Sequence, residues 1–119
     1  MLDLAHASLF HWGIAGGPRE RAVGEWQVAR VYASLNEPGM ALRFAEACLA
    51  TCQTNGLVGE LATAYEGIAR AHGVAGRTRL AREFLGKARE ALEAAPVERG
   101  DRKVYLDQIR DTERKIGRD

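Results

Sequence analysis

The stretch AVGEWQVARVYASLNEPGMALRFAEACLATC, residues 22–52, returns forty positions later as ATAYEGIARAHGVAGRTRLAREFLGKAREAL, residues 62–92. Ala22, Ala29, Arg30, Ala41 and Phe44 fall on Ala62, Ala69, Arg70, Ala81 and Phe84, and Val28 falls on Ile68. A period in this range marks a stacked array, in which each unit buries its apolar face on its neighbours. The shift also works outward. Leu4 falls on Phe44 and Gly16 on Gly56, while Tyr65 and Arg70 fall on Tyr105 and Arg110. The chain reads as one domain: a half repeat over 1–16, repeats over 17–56 and 57–96, and a terminal capping helix over 97–119.

Apolar residues recur at three- and four-residue steps and no segment alternates with period two, so the fold class is all-α. Six helices are predicted, at about 2–14, 18–35, 38–54, 57–75, 78–94 and 98–116. Prolines 18, 38 and 96 stand where helices begin or end. Gly56 and Gly76 follow helices as glycine caps do. Ala29, Ala41, Ala69 and Ala81 hold equivalent places where two helices must approach closely. Phe44 and Phe84 then fill the space between successive hairpins. The expected architecture is antiparallel helix hairpins stacked as a short right-handed α-solenoid.

Composition removes several function classes. Seventeen basic residues stand against 16 acidic ones, for a net charge of +1, whereas phosphate-held nucleic acid demands a basic stripe. No window approaches the ~20 apolar residues of a spanning helix, and the N-terminus lacks the order of a signal peptide. Two cysteines make no disulfide framework, so a cytoplasmic chain is expected. No phosphate loop, nucleophile elbow, zinc helix or converging acid pair occurs, so no enzyme, cofactor or metal is expected.

Val28-Ala29-Arg30-Val31-Tyr32, the turn Asn36-Glu37-Pro38-Gly39, and Ala41-Leu42-Arg43-Phe44 together resemble the tetratricopeptide-repeat family. Ile68-Ala69-Arg70-Ala71-His72, Gly76 and Ala81-Arg82-Glu83-Phe84 repeat the pattern. The unit is forty residues rather than the family's usual 34; Trp26 stands one place beyond the pattern's tryptophan, and His72 replaces its aromatic. The resemblance implies a non-catalytic module that holds a peptide or partner helix in a concave groove. The alternative it allows is a regulatory or ligand-sensing segment of a larger bacterial signalling or transcription-regulator protein.

The groove-lining candidates are Val23, Trp26, Arg30 and Ser34 on one leading helix, Thr63, Glu66, Arg70 and Val74 on the next, and Leu106 and Arg110 on the last. Arg30, Arg70 and Arg110 would form a ladder beside the Trp26 ring, suited to an acidic peptide or a C-terminal carboxylate. In this reading Arg70→Glu abolishes binding and leaves helicity intact. In the other, Arg70 pairs with Glu66 one turn back, Arg110 pairs with Glu113 or Asp107, and Trp26 packs beneath the first helix. Cys48 and Cys52, one turn apart, read as core, since their counterparts are Ala88 and Leu92. His72 reads as a core or groove-edge residue with a bonded nitrogen, and His6 and His11 point to different faces. Leu2, Leu4, Leu9, Phe10 and Trp12 exceed what one neighbour covers. They are expected either to pair with a second copy or to have been joined to more protein.

Overall fold

A computed structural model describes residues 16–95 and 98–116. Within them the chain is all-helical, with no strand. The helices are α1 (Pro18–Ser34), α2 (Pro38–Asn55), α3 (Leu61–Val74), α4 (Thr78–Ala94) and α5 (Arg99–Ile116). The first predicted helix, with Leu2, Leu4, Leu9, Phe10 and Trp12, lies outside the described residues.

The helix ends follow local chemistry. Pro18 opens α1 at a position whose N–H needs no partner, and the Glu20 carboxylate accepts the Gly17 N–H at 2.9 Å. The α1–α2 and α3–α4 turns are copies of each other. Asn36 and Gly76 take left-handed backbone, with φ of 57° and 80°. The next residue's N–H then reaches back to the carbonyl of Tyr32 or of His72, at 2.9 Å in each turn. This pair of bonds satisfies carbonyls that a helix end leaves open, and it demands a residue tolerant of left-handed backbone. One boundary differs from expectation. α3 begins at Leu61 rather than near residue 57, because residues 58–60 form a turn in which the Glu60 N–H bonds the Leu57 carbonyl.

Successive helices run antiparallel. Ala33 packs with Ala41, Tyr32 stacks on Phe44, and Glu25 meets Thr51, so position rises along α2 as it falls along α1. α1 and α3 run parallel instead, with Trp26 beside Glu66, Ala29 with Ile68 and Ala33 with Ala71. The buried core is therefore layered. Each of three clusters draws on α1, α2 and α3: Trp26, Cys48 and Ala64; Ala29, Ala45 and Ile68; Ala33, Ala41 and Ala71. A fourth joins Ala69, Ala81, Leu85 and Ile109 across α3, α4 and α5. The alanines at 29, 41, 69 and 81 are all buried, which is what allows backbones to approach at those crossings.

Candidate functional site

α1, α3 and α5 carry the residues proposed for the groove, and the structure sorts those residues into two groups. Arg30, Ser34 and Arg110 are exposed, and Val23, Val74 and Leu106 are partly so. Trp26, Thr63 and Glu66 are buried, at 9%, 7% and 1% exposure. The ladder is thus interrupted at its centre: α3 lies between α1 and α5, and its polar residues meet those helices instead of open solvent.

The centre is a network around Glu66. Its Oε2 accepts the Trp26 indole N–H from α1 at 3.0 Å. Its Oε1 accepts Arg70 Nε at 3.1 Å, Arg70 Nη2 at 2.7 Å and the Thr112 hydroxyl from α5 at 2.7 Å. A buried carboxylate is costly unless its lone pairs are filled, and here four donors from three helices fill them. Arg70 also lies 3.7 Å from Asp111 of α5, and its side chain is only 10% exposed. Arg70 therefore takes the in-helix partner. Arg70→Glu would set two carboxylates together in this buried site, so that variant bears on stability as well as on binding. Beside Glu66 the Thr63 hydroxyl is buried and unbonded, as is the Gln108 carbonyl.

The stacking register is not a strict forty residues throughout. Trp26 and Glu66 are forty apart, whereas Glu66 and Thr112 are 46 apart. A strict repeat would set Leu106 there. The displaced α5 brings Thr112 over Glu66 and Ile116 over Gly73, where an added Cβ would meet Ile116 Cγ1 at 3.0 Å. Thr112 was not among the sequence candidates. Its signal is the inward stripe of Ile109 and Ile116, on which it falls at helical spacing. α5 is further tied to α4 by Arg89 and Glu113 at 2.8 Å, so Glu113 is engaged across helices rather than with Arg110.

At the outer edges the chemistry differs. Arg30 sits over the Trp26 ring, 5.3 Å from its centroid. Asp111 receives Arg114 at 3.3 Å and Lys115 at 3.2 Å besides Arg70. Burial alone would raise its carboxyl pKa, but the hydrogen bond and charge of Lys115, with Arg70 and Arg114, hold it below the ordinary range. His72 stacks on Phe84 at 5.5 Å and accepts Arg77 Nε at its Nδ1 at 3.0 Å. Burial, then the Arg77 charge, push its pKa down. Cys48 and Cys52 are buried free thiols; Cys48 donates to Cys52, which with burial holds it protonated. Among the described residues, no three histidine, cysteine or acidic side chains group to hold a metal. No described helix is long and apolar enough to cross a membrane.

No family model matches this chain, and no curated protein or solved structure matches it either.

Proposed function

We propose that this chain is a non-catalytic interaction module, a short right-handed α-solenoid like that of tetratricopeptide repeats, which holds an acidic peptide or partner helix along α1, α3 and α5. The observation that carries this reading is the Trp26–Glu66 hydrogen bond. It joins equivalent positions one unit apart, so equivalent side chains of α1 and α3 share one face. On that face Arg30 remains an exposed cation, with Val23 and Val74 as partly exposed apolar neighbours, while α5 turns Asp111 and Thr112 rather than Arg110 toward α3. Guanidinium groups recognise carboxylates through paired hydrogen bonds, and the apolar neighbours supply contact area. Trp26 acts through its edge and through Arg30 rather than as a free anchor.

The test uses Arg30→Glu, at an exposed position, and spares Arg70. Partners captured by the unaltered chain, identified by mass spectrometry, are expected to be lost by Arg30→Glu at unchanged helicity. Equal capture by both proteins would remove the groove reading. A cleft of about 190 Å³ lined by Arg70, Gly73, Val74, Thr112, Lys115 and Ile116 favours a second reading, a sensor segment that takes a small ligand.

A further inference from the structure

Three cations from two helices converge on one carboxylate at the α5 edge. Asp111 lies 3.7 Å from Arg70 of α3, 3.3 Å from Arg114 and 3.2 Å from Lys115. Arg70 has a second, buried partner in Glu66, which keeps the guanidinium in place whatever Asp111 does. Arg114 and Lys115 are largely exposed, and the Asp111 side chain is itself 36% exposed. Here Arg70, Arg114 and Lys115 oppose Glu66 and Asp111, leaving an excess of one positive charge. The C-terminal turns of α3 and α5 reduce that excess through their dipoles. A ligand carboxylate therefore fits this edge as a replacement for Asp111, not as an addition to it.

The cleft beside it supplies the rest of the recognition. Its walls are the stems of Arg70 and Lys115 with Gly73, Val74, Thr112 and Ile116, and its volume is about 190 Å³. An apolar cavity of about 150 Å³ holds benzene, so there is room for one aliphatic side chain. We propose that Asp111 is an autoinhibitory occupant of a carboxylate site, displaced when a partner peptide places an acidic residue between Arg70 and Lys115 and an adjacent aliphatic residue in the cleft. This rests on the interaction-module reading and adds to it the partner's local chemistry and the contact it must break.

The probe is a fluorescent capped peptide alternating glutamate and leucine, with an amidated end, titrated by anisotropy against the full chain. A glutamine-for-glutamate peptide is the control. Exposed ion pairs of this kind are weak, so Asp111→Asn is expected to tighten binding about three- to fivefold. Lys115→Glu is expected to weaken it at least fivefold, and the glutamine peptide should bind neither protein. Binding that depends on Arg30 while Asp111→Asn and Lys115→Glu leave it unchanged overturns the autoinhibitory contact and keeps the groove. Failure of both the unaltered chain and Asp111→Asn to bind overturns the carboxylate site, while the groove reading stands or falls by the capture test. Equal binding of the glutamine peptide overturns the carboxylate site. Circular dichroism of each variant, matched to the unaltered chain, establishes that the changes are in binding.

Discussion

The two hairpins, α1–α2 and α3–α4, share their turns and their alanine crossings, yet they differ at the same leading-helix positions. In the first, position 26 is tryptophan and Arg30 lies over its ring, open to water. In the second, the equivalent residues are Glu66 and Arg70, sealed as a hydrogen-bonded pair. The turns match; the neighbours do not. α3 has a parallel helix on each side, and α5 supplies Thr112 and Asp111 to what would otherwise be an open face. At the arginine position one repeat motif therefore makes a surface in α1 and an interior in α3, and stacking position makes the difference.

The largest way to break this contrast is at Glu66. Glu66→Ala strands the Trp26 indole and the Thr112 hydroxyl and leaves Arg70 only the longer contact to Asp111, and removing one partner of a buried pair costs about 3–5 kcal/mol. Urea unfolding is expected to show that loss, and a loss under 1 kcal/mol would mean that water already fills the site. The alanine crossings come next. Ala69→Leu and Ala29→Leu overpack buried crossings and should each cost about 1–3 kcal/mol. Ala69→Leu is expected to be the worse of the two, because its cluster includes α5, so a shift there also strains the Glu66–Thr112 contact. Equal costs would mean that α5 adds little rigidity to the second hairpin.

A smaller effect separates the two aromatic stacks, Tyr32 on Phe44 and His72 on Phe84. The folded-state pKa of His72 is lowered by burial and by Arg77. Its unfolded form thus binds more protons, and stability falls as pH drops below about 6.5 through the lowered folded value. Thermal melts from pH 7.5 to 5 are expected to show a decline that His72→Tyr reduces. The same slope in that variant would place the titration elsewhere. The smallest effect belongs to Arg30. Arg30→Ala removes an exposed cation–π contact of about 0.5–1 kcal/mol, and the melting temperature should fall by a few degrees at most. A larger drop would show that the first hairpin's face is also structural.

Much of this molecule is legible in its residues. Proline and glycine positions locate the helix ends, and the repeated alanines and phenylalanines set the register of each hairpin, because these are local steric requirements. The pairing of Arg70 with Glu66 is likewise a one-turn helical contact that spacing alone proposes. Position 57 misled for an equally local reason: Leu57 continues the apolar period, yet residues 58–60 turn before α3 begins.

The fate of the leading-helix face was not local. Charge at 66 and 70 reads as surface in any single helix, and helical period says nothing about what will lie across it. α5 departs from the forty-residue register and sets Thr112, 46 residues away, against Glu66. Helix formation and capping depend on neighbours within a turn or two, so the residues of each segment decide them. Burial of a polar group depends on which distant element covers it and on whether that element brings donors. Only the packed arrangement of α1, α3 and α5 decides that Glu66 is an interior hub while Arg30 and Arg110 stay in water.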